Sequence, residues 1–192
     1  AGAQDSSELA KKLSNPVASL ISVPLQSNYD REIGPADDGW RYTLNVQPVI
    51  PISISEDWNL ISRTILPVIY QRDIYPGAGS QSGIGDITQS LFFSPKQPTA
   101  GGWTWGAGPA FLIPTAGDDP LGTGKWGAGP TVVVLRQTPA GWTYGALVNH
   151  IWSFAGDEDR AGVSSTFLQP FLAKALGKGR TVSVNLESSY DW

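Results

Sequence analysis

The feature that most constrains this chain is a two-residue hydrophobic period. It runs from about residue 17 to residue 192, broken only by connections rich in Gly, Pro, Asp and Ser. Successive side chains of a strand point to opposite faces, so each segment carries one apolar and one polar face. The alternation predicts strands near 17–27, 40–52, 58–71, 84–94, 102–113, 125–136, 141–153, 164–175 and 180–191. In the second, Trp40, Tyr42, Leu44, Val46, Pro48, Ile50 and Ile52 oppose Arg41, Thr43, Asn45 and Gln47. In the ninth, Val182, Val184, Leu186, Tyr190 and Trp192 oppose Ser183, Asn185, Glu187, Ser189 and Asp191. The third, fourth and eighth are less regular. Ile61, Ile65 and Ile69 share a face with Asn59, Arg63 and Gln71, a face suited to packing on an N-terminal helix. The one helical stretch is 7–14, SELAKKLS, opened by Ser and stopped by Pro16. The chain therefore divides into an N-terminal segment, 1–16, and a strand domain, 17–192.

The connections alternate in length. Those at 28–39, 72–83, 115–124 and 155–163 are long, and those near 53–57, 95–101, 138–140 and 177–178 are short. Outer-membrane barrels have long extracellular loops and short periplasmic turns. A soluble lipocalin-like ligand-binding barrel shares the period but turns its apolar face inward, and is the lesser alternative. Composition favours lipid. Charged residues are 16% of the chain, against about 25% in soluble domains. The polar faces are Thr, Ser, Asn, Gln and Gly with few Lys, unlike a soluble exterior. Trp40, Trp58, Trp103, Trp105, Trp126, Trp142, Trp152 and Trp192 cluster toward strand ends, as an aromatic girdle does. No run approaches the roughly 20 apolar residues of a membrane helix, so the membrane assignment rests on strands. A closed barrel satisfies every backbone group, the condition that lipid imposes. The expected fold is all-β: an antiparallel up-and-down transmembrane β-barrel of about nine strands here, preceded by a short helix. GWTWGA at 102–107 recurs as GWTYGA at 141–146, and WGAGP at 105–109 recurs at 126–130, a similarity between hairpins.

Other classes fall away. The chain has no Cys and one His, which excludes thiolate and multi-His metal sites. Its net charge of −4 gives none of the basic surplus of a nucleic-acid binder. No G-x-S-x-G is present, and PGAGSQSGIG at 76–85 has no Lys to cradle phosphate. We expect no enzyme and no cofactor; His150 reads as a packing or girdle residue. Ala1-Gly2-Ala3 resembles the end of a secretory signal peptide, with a cloning remnant as the alternative.

The candidates for a pore lining are Arg41, Asn45, Gln47, Arg63, Gln71, Asn185 and Glu187, because polar and charged side chains inside a pore set its selectivity. The alternative is a hydrogen-bonded plug filling a narrow barrel. Asp118, Asp119, Asp157 and Asp159, with Glu158, offer hard oxygen ligands in two loops. Their plainer reading is solvated loop charge, and no metal site is assigned.

The runs SELAKKLSNPVASLISVPLQSNYD, NVQPVIPISI, RTILPVIYQRDI and GIGDITQSLFFSP, with the WGAGP repeats, give a resemblance over nearly the whole chain. The sequence resembles a bacterial family of outer-membrane transporters labelled "MetA-pathway of phenol degradation". The resemblance implies a porin-like barrel in the outer membrane of a Gram-negative bacterium, with lipid and lipopolysaccharide around it. It implies passive transport of small solutes, aromatic or otherwise hydrophobic. A plugged structural or adhesion barrel without transport is the alternative. The family continues for about three more strands, making about twelve. Nine strands leave two edges and put the last strand's end on the extracellular side, so the reading expects a barrel incomplete at its C-terminus, with an open seam between the first and ninth strands. The solute and the oligomeric state are not legible in the sequence.

Overall fold

The structure is a computed structural model and describes residues 12, 15–177 and 180–192. The helix expected over 7–14 lies outside the described residues apart from Lys12. Among the described residues twelve strands form in chain order: β1 Leu25–Ile33, β2 Gly39–Val46, β3 Val49–Ser53, β4 Trp58–Arg72, β5 Ser80–Ile84 and β6 Ile87–Pro95; then β7 Trp103–Ile113, β8 Lys125–Gln137, β9 Trp142–Gly156, β10 Ser164–Gly177, β11 Arg180–Asn185 and β12 Ser188–Asp191. They make nine passes of one antiparallel sheet, because β2–β3, β5–β6 and β11–β12 are each one pass with a short interruption.

Proline explains the interruptions. It has no N–H and removes a rung from the ladder. The first break holds Pro48, whose carbonyl still accepts from Thr64 N at 3.0 Å. The second lies opposite Pro67, whose carbonyl accepts from Gly85 N at 2.9 Å, and the third opposite Pro170, which accepts from Leu186 N at 3.1 Å. Each pass pairs with its sequence neighbour, from β1 at one end of the order to β11 at the other, so the sheet is an up-and-down meander curled into a trough.

The faces of that trough are inverted relative to a soluble protein. Gln47, Asn59, Arg63, Gln71, Ser90, Ser94, Thr131 and Thr143 are buried on the concave side. Ile50, Val68, Val132, Val134, Val148, Leu168, Leu172, Val182 and Val184 are exposed on the convex side. The register enforces this. Arg41 stands opposite Gln71 and Asn45 opposite Pro67 on the inner face, while Tyr42 meets Tyr70 and Leu44 meets Val68 on the outer.

The first pass differs from the sequence reading. β1 begins at Leu25, not at 17, and continues to Ile33, so the first connection shrinks to 34–38. Asp30 and Arg31 look like loop residues, yet they pair with Arg41 and Trp40. Residues 15–22 run instead along the inner wall. Val17 is buried, Ser19 Oγ accepts from Asn59 Nδ2 at 2.9 Å, and Ser22 bridges to Val49. The inner face of β4 thus packs on residues just after the expected helix.

Candidate functional site in the barrel interior

Three layers occupy the concave side. The lowest, nearer the short turns, is apolar. Val17, Val49, Ile61, Phe92, Val133, Leu135 and Leu147 form one buried cluster, and Phe167 and Phe171 pack against it. Five passes and the 15–22 segment contribute to it. Gly106 makes room, since a Cβ there would stand 3.3 Å from Val17 Cγ1.

The middle layer is a polar chain. Arg63 donates through Nη2 to Gln47 Oε1 at 2.8 Å, and Gln47 Nε2 donates to Gln26 Oε1 at 2.6 Å. Gln26 Nε2 lies 3.2 Å from both carboxylate oxygens of Glu187, which also accepts from Gln169 Nε2 at 2.7 Å. Glu187 sits in the break between β11 and β12, and Gln26 on β1. Their bond therefore joins the two ends of the strand order by side chains. Arg63 is one buried cation reached by a carboxylate only through two amides, a relay that keeps each buried polar group bonded. A cavity of about 680 Å³ adjoins Gln26, Gln47, Gln169, Asn185 and Glu187. Another, of about 670 Å³, adjoins Arg63, Ser90, Asn149, Phe167 and Asp191. The Arg63–Gln47 pair stands between them.

The upper layer is a loop folded into the mouth. Residues 114–124 connect β7 to β8 and contain a 3₁₀ turn, Asp119–Leu121. Leu121 is buried and lies so close to Gly83 that a Cβ there would come within 2.8 Å of Leu121 Cδ1. The carbonyl of Pro120 accepts from Gln71 Nε2 at 3.2 Å, and Gln71 Oε1 accepts from Arg41 Nε at 2.8 Å. Two ionised groups latch the loop. Asp86, in the break between β5 and β6, accepts from Ala116 N, Thr123 N and Thr123 Oγ1. Arg160, from the β9–β10 connection, donates to the carbonyls of Asp119 and Gly122 and lies 3.7 Å from Asp119 Oδ1. Charge-assisted bonds such as these are about twice as strong as neutral ones.

Of the seven residues proposed from sequence for the pore lining, Arg41, Asn45, Arg63, Gln71 and Asn185 lie on the inner face by register, and Gln47 and Glu187 lie in strand breaks beside a cavity. Arg41 and Gln71 meet under the mouth loop; Gln47, Asn185 and Glu187 share a cavity; Arg63 lines the other. Asn45 lies opposite Gln26 and Pro67. Sequence reasoning missed Gln26, Asp86, Arg160 and Gln169. Asp86 carried a faint signal, an acid straight after the glycine that breaks a strand. Leu121 carried another, a lone large apolar residue in a polar loop.

On the outer face the tryptophans fall in two bands. Trp58, Trp103, Trp105 and Trp142 mark the short-turn rim, with ring contacts from Trp58 to Trp105 and from Trp103 to Tyr144. Lys174 Nζ sits 4.8 Å over Trp142, and the Arg136 guanidinium 5.9 Å over Trp103. Trp40, Trp126, Trp152 and Trp192 mark the long-loop rim, where Trp40 touches Tyr29 and Tyr70. His150 also points outward. Its Nδ1 meets Thr166 Oγ1 at 2.7 Å and its ring packs on Trp152, with no carboxylate among the described residues to orient it as a base. Asp119 faces Arg160, and Asp157 accepts from Asp159 N. Among the described residues no three His, Cys, Asp or Glu gather.

This architecture has a solved counterpart. The chain is similar to an outer membrane channel from Pseudomonas putida F1, with a TM-score of 0.64 at 16% identity, over 89% of this chain and 69% of that one. The likeness shows the fold. For this chain that fold is a curled antiparallel up-and-down sheet. No family model matches the chain, and no curated protein matches it.

Proposed function

We propose that this chain forms the wall of an outer-membrane channel for passive passage of small solutes. The observation that carries the reading is the inverted polarity: a buried Arg63, Gln47 and Gln71 inside, and exposed Val132, Val148, Leu172 and Val184 outside. That distribution suits a barrel with lipid outside and a polar lumen. It is the reverse of a soluble ligand-binding barrel. The crystallised outer membrane channel of the same fold adds support. The cavities on either side of the Arg63–Gln47 pair supply volume for a solute, and the 114–124 loop narrows the mouth.

The test is current through planar bilayers, with flux of small neutral and charged solutes into liposomes. Discrete conductance steps support the channel, and Arg41→Glu should then shift the reversal potential toward cation selectivity. A second reading is a plugged barrel without transport, favoured by the apolar layer from Val17 to Leu147. Silence in the bilayer by a correctly inserted protein selects that reading.

A further inference from the structure

The cavity of about 670 Å³ has two chemically distinct ends. Arg63 from β4 and Ser90 from β6 are directly paired across the strands, both on the inner face. Both are buried, Arg63 at 9% exposure and Ser90 at 4%. Of the five guanidinium N–H donors, the recorded bond is the one from Nη2 to Gln47. No carboxylate of the described residues lies within ion-pair distance of Arg63. Ser90 Oγ bonds to no described residue, whereas Ser94 Oγ on the same face donates to the Trp105 carbonyl at 2.7 Å. The other end is apolar. Leu112 and Ile151 belong to a second buried cluster with Ala110, packed by Val163, and Ile65 continues the surface toward Arg63. Arg160 and Asp191 also line the cavity, Arg160 committed to the mouth loop and Asp191 exposed.

A buried cation whose linked carboxylate, Glu187, reaches it only through two amides is costly unless something pairs with it directly. A planar guanidinium matches a carboxylate bidentately. A doubly charged anion fits less well, because the cavity offers one uncommitted cation and also holds Asp191. The apolar end calls for a hydrocarbon body, and the volume is that of a small-molecule pocket. We propose that this cavity is a binding site for an amphipathic monocarboxylate, its head on Arg63 and Ser90 and its body against Ile65, Leu112 and Ile151. The proposal rests on the channel reading for its route of access, and the binding itself is measurable without transport.

The test is titration calorimetry on the full chain in detergent, with benzoate as probe. Benzyl alcohol, benzylamine and inorganic phosphate serve as neutral, cationic and apolar-free controls. Benzoate should bind more tightly than all three. Arg63→Gln should weaken benzoate tenfold or more, the size expected for a lost charge-assisted hydrogen bond, and leave benzyl alcohol nearly unchanged. Leu112→Ser should weaken benzoate and benzyl alcohol alike. If Arg63→Gln does not fold, judged by heat-modifiable mobility, Ser90→Ala with Arg63→Lys takes its place and should lose at least severalfold. Equal binding of benzoate and benzyl alcohol, or no response to these variants, overturns the site. Phosphate bound as tightly as benzoate reduces it to a plain anion site and overturns the ligand class. Bilayer current on the same samples reports separately on the channel, so binding without conductance leaves this site standing and removes the transport reading.

Discussion

At the scale of single residues, position on the inner or outer face decides what a substitution costs. Val184 is 67% exposed on the outer face and pairs with Leu172. Placed in hydrocarbon, Val184→Arg should cost about 2–4 kcal/mol near the midplane, measured by refolding into liposomes; a cost near zero would place the residue outside the bilayer. Gly129 reports a different constraint. Any Cβ there would press on the His150 carbonyl of the neighbouring strand, and one at Gly108, its counterpart in the repeated WGAGP motif, would press on the Leu91 carbonyl. The repeat therefore marks places where adjacent backbones approach too closely for a side chain. Gly129→Ala should destabilise by about 1–3 kcal/mol, the usual cost of overpacking, read from the unfolding midpoint in urea. What the sequence displayed of these residues was their parity. It did not display their partners. Arg41 was legible as an inward residue because Trp40 and Tyr42 flank it, whereas Arg63 and Gln71 share their face with Ile61, Ile65 and Ile69, and the link from Gln47 through Gln26 to Glu187 spans 161 residues of chain at its last step.

At the scale of elements, strand passes were legible and their ends were not. β2 shows one apolar face without interruption, and β8 shows one from Trp126 to Val134. β1 does not, because Asp30, Arg31 and Glu32 are polar on both faces, and their pairing with Arg41 and Trp40 depends on the partner strand. The same holds for the 114–124 loop. Its inward fold depends on Gln71, Asp86 and Arg160, each at least 30 residues away from the group it holds, so no local pattern announces it. The latch makes a direct prediction. Asp86→Ala removes one carboxylate and three hydrogen bonds to the loop, weakening its inward state by about 2 kcal/mol or more. Single-channel current should rise or become noisy, and protease should cut at 114–124 sooner than in the parent chain. An unchanged current with unchanged cleavage would show that the loop is held by Leu121 packing alone.

At the scale of the whole molecule, the trough has an outer surface that water does not favour. Its convex side exposes large apolar groups on every pass, from Leu25 and Tyr29 to Tyr190 and Trp192. Such a surface on a water-soluble protein would be an aggregation site, since contiguous apolar patches of more than a few hundred Å² are rare on monomers. The aromatic distribution turns this into a depth measurement. Trp58, Trp103, Trp105 and Trp142 sit at one rim and Trp40, Trp126, Trp152 and Trp192 at the other, while the middle of the outer face carries Val132, Val134, Val148 and Leu168 without tryptophan. Indole rings favour the headgroup level. All eight lie near strand ends, so in a bilayer none should sit near the midplane. Lipids brominated near the headgroup should therefore quench the tryptophan fluorescence of the inserted chain more than lipids brominated near the acyl end. The long-loop and short-turn rims should be quenched to similar extents, which single variants such as Trp58→Phe and Trp152→Phe would resolve. Deep quenching exceeding shallow would mean that the strands cross at another depth or lie along the surface. Loss of all quenching would mean that the apolar face is covered by protein.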